Sequence, residues 1–298
     1  MGGFVRSLLA LLLMSAGVIA ALGGVFAQWL DTTAHTPEPL QAIVGPVATD
    51  PRVLGAIVAE VTAAVVEQLP PALDGIPGVR DQVEALVTLS MNEIAASEGF
   101  GQAWEESLNL SRADFVAELE LMQSGGDAPT LWLNLAPFVE LGAARLAEIS
   151  PEILRPYVAQ IPMPEDVRIA LGRPDTVQAG YAADALSLAS HWVWYYAAAA
   201  TLAVIGLAVG SRRGRWAAWI LAVAGGLGGL LLARGLLTDR AGAAGGDSLP
   251  AVVLAALVDG TTSSLLDWTA PAVAAAWALL ALGAVGLLMA WARQPPRR

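Results

Sequence analysis

Hydrophobic positions along this chain fall into two regimes. Ser7 to Ala27, Trp192 to Gly210, Trp216 to Ala233 and Thr269 to Ala292 are predominantly apolar and carry no charge. Each reaches the ~18–20 residues that cross a ~30 Å hydrocarbon core as a helix. They lack the alternation of barrel strands, so they predict four transmembrane helices. Between the first and second, from Gln28 to His191, apolar and polar residues interleave as in a folded domain with a water-exposed surface.

Within that domain most periodicity is helical. Asp50-Pro51 reads as an N-cap followed by proline at the first helical position. Leu54, Ile57, Val58, Val61, Val65 and Leu69 then recur at helical spacing until Pro70-Pro71. Further helices are predicted over about Pro77–Ala96, Phe100–Met122, Pro137–Ile149 and Glu152–Ala159, with Ser124 to Asp127 as a loop. Residues 130–135 and 167–171 alternate instead. They read as short strands that pair with each other. From Asp175 the pattern runs into the second span without a strong breaker, predicting one rod from Asp175 to Gly210. The fold class is therefore mainly α: four transmembrane helices and a helical domain carrying a small two-stranded β element.

Charge sets an orientation. Arg6, Arg212, Arg213, Arg215, Arg293, Arg297 and Arg298 flank one set of span ends, without an acidic residue among them. Positive flanks stay cytoplasmic, so both termini, including the 293–298 tail, are expected inside and the 28–191 domain outside the plasma membrane. Trp29, Trp192, Trp194 and Trp268 fit an outer interfacial belt, and Trp216, Trp219 and Trp291 an inner one. The first span is read as an anchor. A cleaved signal peptide ending at Val25-Phe26-Ala27 is the alternative, against which the length of the apolar run argues.

Composition agrees with this class. The chain of 298 residues is 56% hydrophobic and only 14% charged, against roughly 25% charged in soluble domains. Its mean hydropathy is +0.58. Every basic residue is arginine, and cysteine is absent, which removes disulfides and thiolate chemistry. The 28–191 domain holds 23 acids and seven arginines, a formal charge of −16. That disfavours nucleic acid as a partner. A solvated acidic surface is the plain explanation, and a platform for cations or a basic partner the sharper one.

Val47–Leu69 (VATDPRVLGAIVAEVTAAVVEQL), Phe100–Leu119 (FGQAWEESLNLSRADFVAEL), Pro129–Val139 (PTLWLNLAPFV) and the three-span tail together carry a resemblance. In these elements and their order the chain resembles an uncharacterised family of actinobacterial integral membrane proteins. The resemblance implies one N-terminal span, a helical extracytoplasmic domain and three C-terminal spans. It implies no activity and no site residues. Residues 31–51 diverge from it.

Candidate chemistry is sparse. With no lysine there is no P-loop lysine, and neither H-E-x-x-H nor G-x-S-x-G occurs. No catalytic, cofactor or metal residue is assigned, and no cofactor is implied. His35 and His191, near the two ends of the domain, read as interfacial residues, with a shared metal or proton site the sharper alternative. The acid pairs Glu105-Glu106, Glu118/Glu120 and Glu165-Asp166 read as solvated surface.

Arg234 lies near the outer end of the third span. It is expected to snorkel or to pair with Asp239, Asp259 or Asp267. Leu236 to Trp268 is read as an outer loop in which Leu249–Val258, too short to span, forms an interfacial or re-entrant helix. Ala16/Ala20/Gly24, Gly206/Gly210 and Gly225/Gly229 are small-residue faces suited to close helix packing.

The expected function is a non-enzymatic cell-envelope membrane protein whose outer domain binds or scaffolds a membrane or envelope partner. An accessory subunit of a transporter or channel is the alternative, and an envelope enzyme the third reading.

Overall fold

The computed structural model describes residues 2–67, 79–95, 97–149, 167–240 and 249–292. Among these residues it is mainly helical with a small two-stranded sheet, and four helices are long and apolar enough to cross a membrane. Contacts divide the chain into two compact units. A span unit comprises Met1–Thr32, Asp184–Ala241 and Thr261–Arg298, and a helical unit comprises Thr33–Ala183 and Gly242–Gly260.

The span unit is built from α1 (Gly2–His35), α8 (Trp192–Val209), α9 (Gly214–Arg240) and most of α10 (Leu249–Ala292). Large apolar side chains such as Leu12, Ile19, Val204, Leu232, Leu282 and Leu288 point outward. That is the inverse of a water-soluble surface and suits hydrocarbon. Inside, Ala10, Met14, Ala218 and Ala222 form a small core. Small residues let backbones approach. A methyl group at Gly206 would sit 2.9 Å from Met14 Cγ, and one at Gly24 would sit 3.1 Å from the Tyr196 ring. The third expected face differs: Gly225 and Gly229 meet open space, and it is Gly226 that packs, against Val18. Several polar groups find partners, which a low-dielectric environment favours. Tyr196 Oη donates to Gln28 Oε1 (3.0 Å), Trp29 Nε1 to Ser264 Oγ (3.3 Å) and Trp219 Nε1 to the Leu279 carbonyl (2.9 Å).

The helical unit contains α2 (Pro37–Val44) with a 3-10 turn (Gly45–Thr49), α3 (Pro51–Glu67), α4 (Val79–Ala95), α5 (Glu98–Gln123), β1 (Leu131–Asn134), α6 (Ala136–Ile149) and β2 (Arg168–Gly172). The start of α7 (Thr176–Ala189) also belongs to it. The periodic face of α3 is its buried face: Val53, Ile57 and Val61 are fully enclosed. They meet Met91 and Ile94 from α4, Trp104 and Leu108 from α5, and Phe138 and Val139 from α6. Phe138 packs tilted against Phe100 and Trp104, ring centroids 5.0 and 6.4 Å apart. The α2–α3 segment is apolar enough for a span but bends by 89°. Its burial in this core explains that apolarity.

β1 and β2 pair antiparallel with an irregularity at Leu131/Trp132. Leu133 and Leu135 are buried as the alternation predicts, but Asn134 is buried too. The Ser111 hydroxyl accepts from the Asn134 N–H (2.8 Å), the Asn134 carbonyl accepts from Ser107 Oγ, and the Asn134 side chain accepts from the Ala136 N–H (3.0 Å). Satisfied in this way, a polar residue can occupy the core at little cost.

Two expectations are corrected. The rod expected over 175–210 is two helices, α7 and α8, separated by a turn at Ser190-His191. Ser190 Oγ donates to the Ser187 carbonyl (2.8 Å), and His191 Nδ1 lies 3.0 Å from the same oxygen. Side chains competing for backbone carbonyls end the helix here. The region expected as an outer loop, 236–268, is largely helical. Helix α9 continues to Arg240, and α10 runs unbroken from Leu249 through the last span, so Leu249–Val258 is no separate interfacial helix. Val253 and Leu257 pack into the core of the helical unit, which accounts for the apolar run. The helix expected over Glu152–Ala159 and the 293–298 tail lie outside the described residues.

Candidate functional site

Helix α3 carries two rows spaced by four residues, and i, i+4 neighbours share a helical face. One row is small: Gly55, Ala59, Ala63. The other is Val58, Thr62, Val66. Together with Glu84 and Thr88 of α4 they line a groove of about 570 Å³. A neighbouring recess of about 500 Å³ shares Glu84 and Thr88 and adds Asp81, Ala85 and Leu89. The small row keeps the α3 wall low, while Val58 and Val66 form an apolar base. The α4 rim is acidic, and Leu89 on it is 54% exposed. The Thr62 hydroxyl oxygen is buried and lacks a hydrogen-bond partner among the described residues. A buried hydroxyl without a partner costs about 1–3 kcal/mol, a cost that an incoming polar group would remove.

Among the described residues, two threonine hydroxyls and one carboxylate line the groove, and no histidine does. Activating a hydroxyl needs an adjacent base.

The residues singled out from sequence are distributed elsewhere. His35 Nε2 lies 3.9 Å from Glu120 Oε1, both well exposed. His191 is occupied by the turn after α7. Among the described residues no group of three or more His, Asp or Glu is placed to hold a metal. Glu105 and Glu106 are exposed, and the Glu118 carboxylate accepts the Thr130 N–H (3.2 Å). Glu165-Asp166 lies outside the described residues.

Arg234 Nη1 donates to the Leu266 carbonyl and to Thr269 Oγ1, both at 2.8 Å. Asp239 is in the last turn of α9, and Asp259 and Asp267 are exposed on α10.

The groove is not legible from the apolar period, in which Val58 belongs to the buried face of α3. Its signal is instead Gly55/Ala59/Ala63 at four-residue spacing. Helix α2 is likewise not among the expected elements, although Thr36-Pro37 carries a helix-start signature, with Thr36 extended at the N-cap and proline at the first helical position. Comparison of the chain with protein-family models, curated proteins and solved structures gives no match.

Proposed function

We propose that this protein is a non-enzymatic, multi-pass protein of the cell membrane that holds its acidic helical domain outside the cytoplasm as a docking platform for a partner protein. The observation that carries the reading is the α3–α4 groove: a low apolar base, an acidic rim at Asp81 and Glu84, and a buried threonine hydroxyl awaiting a partner. The formal charge of −16 over 28–191 selects the partner's chemistry. A cationic amphipathic segment fits, its apolar face on Val58 and Val66 and its positive side chains toward Glu84. Such helix-in-groove recognition draws affinity from apolar anchors and orientation from charge.

Site-directed photo-crosslinking in native membranes tests this. A photoreactive residue at Ala59 or Ala85 of the full-length protein is expected to give one discrete heterologous adduct, weakened by Glu84→Arg. The same residue at Glu105, on α5, is expected to give none. Equal adducts at all three positions, or none at Ala59 and Ala85, would discard the groove as a docking site.

A further inference from the structure

Three stretches of chain meet at one end of the span unit. Arg6 Nε of α1 donates to the Val209 carbonyl at the end of α8 (3.0 Å), and Ser7 and Ser211 share a hydroxyl hydrogen bond (2.8 Å). The guanidinium of Arg213 stacks on Trp291 near the end of α10, 5.1 Å from the ring centroid. Between the start of α9 and the last turns of α10 a cleft of about 140 Å³ opens, lined by Arg212, Arg215, Trp216, Gly286, Met289 and Ala290. The glycine is required there: a methyl group at Gly286 would lie 2.5 Å from Trp216 Cδ2.

The cleft carries two guanidinium groups, and among the described residues no carboxylate pairs with either; Arg215 lies 5.7 Å from the Trp216 ring centroid. Residues 1–30, 185–238 and 268–298 contain no Asp or Glu. Arg215 Nε is buried with no hydrogen-bond partner among the described residues. Arginine cannot relieve that by deprotonation, since it stays charged in proteins. A buried, unpaired N–H donor beside uncompensated positive charge calls for an anionic oxygen from outside the chain. The remaining walls narrow the choice. Trp216, Met289 and Ala290 are apolar, and Met289 continues onto the outward apolar face of α10 with Val285 and Leu288. An oxyanion joined to a hydrocarbon body matches both halves.

The geometry points to this cleft as a binding site for the phosphate of an anionic membrane phospholipid, held by Arg212 and Arg215 with its glycerol and acyl portion against Trp216 and Met289. Planar guanidinium groups pair with phosphate oxygens through two parallel hydrogen bonds, and basic pockets between spans suit acidic headgroups. The positive end of the α9 dipole, beginning at Gly214, adds to the attraction. The site requires a bilayer but neither a particular leaflet nor the groove on the helical unit, so each proposal can fail alone.

Native mass spectrometry of the full-length protein in mild detergent tests it, with phosphatidylglycerol, phosphatidylcholine and inorganic phosphate as probes. The parent is expected to retain phosphatidylglycerol in preference to phosphatidylcholine. Arg212→Gln with Arg215→Gln should weaken that retention at least about tenfold, the loss expected when charge-assisted hydrogen bonds to a phosphate are removed. The charge-matched Arg297→Gln with Arg298→Gln should leave it within about twofold, since it removes only diffuse attraction. Should the glutamine pair fail to fold, Arg212→Lys with Arg215→Lys keeps the charge but loses the planar fork, and is expected to lose affinity while keeping the parent melting temperature. Equal retention of both lipids, equal losses in cleft and tail variants, or unchanged affinity in both cleft variants overturns the site. Displacement of phosphatidylglycerol by millimolar inorganic phosphate would make it a site for soluble phosphate and overturn the lipid assignment.

Discussion

Asp50 shows how far a single residue can be read and where the reading stops. Its place before Pro51 marks it as a helix start, and α3 begins there. The sequence does not reveal that Arg52 folds back on it. Arg52 Nη2 donates to Oδ2 (2.8 Å), and Arg52 Nε (3.1 Å) and the Arg52 backbone N–H (2.9 Å) both donate to Oδ1. The side-chain hydrogen bonds from Arg52, then its backbone hydrogen bond, hold the Asp50 carboxyl below its ordinary value of 3.8. A carboxyl that ionises more readily folded than unfolded contributes its full stabilisation above the unfolded value and loses it as pH falls toward the lower folded one. Asp50→Asn should therefore lower the melting temperature of the detergent-solubilised protein at pH 7, and the gap to the parent should close as pH falls below about 3.8. A gap that is constant with pH would remove the ionised carboxyl from the account. Asn134 is the opposite case. Its position in a strand reads as outward, and only the hydroxyls of Ser107 and Ser111, at one-turn spacing on another helix, explain why it is buried. No local pattern carries that information.

At the scale of elements, apolar period and proline placement made α3, α4, α5, α6 and the strand pair legible, because each buries one periodic face. What was illegible was where helices stop when nothing punctuates them strongly. The Ser190-His191 turn is made by side-chain hydrogen bonds, whereas α10 passes through Gly260 and Pro271 without ending. Proline inside a helix removes the N–H that would bond the carbonyl four residues earlier and crowds the preceding turn. Here that carbonyl is Asp267, and the neighbouring Leu266 carbonyl receives hydrogen bonds from Thr269 Oγ1 (2.9 Å) and from Arg234. Arg234 thus ties α9 to α10 beside its internal proline, a role that composition alone cannot assign. A hydrogen bond from a charged donor is worth about 1.5–3 kcal/mol. Arg234→Leu is expected to destabilise the detergent-solubilised protein by about that much and so to lower its melting temperature, with Arg240→Leu, a like-for-like charge loss at the end of α9, changing it far less. Thermal scans of both variants beside the parent check this, and equal midpoints for all three would strip Arg234 of its structural role.

For the whole molecule, the decisive asymmetry is where charge is absent. The chain stretches at the Arg6 and Arg212 end of the spans lack acids, while the segment between the first two spans holds 23 of them. Arginine near span ends resists translocation, whereas acidic residues contribute little to orientation. On this basis a large acidic domain is expected to cross while the arginine turns stay. That asymmetry is a matter of residue counts, independent of the groove and of the lipid cleft. It also has a direct readout, because the chain has no native cysteine and any introduced thiol is unique. Glu105 is exposed on α5 and Arg213 is exposed in the turn before α9. Each is replaced by cysteine in an otherwise unchanged full-length chain, and intact cells are treated with a membrane-impermeant maleimide. Glu105→Cys should label before permeabilisation and Arg213→Cys only after it. The reverse pattern would invert the molecule in the membrane and place the acidic groove in the cytoplasm. Labelling of both thiols in intact cells would mean that the arginine turn does not stay inside, and the positive-flank argument would fail for this chain.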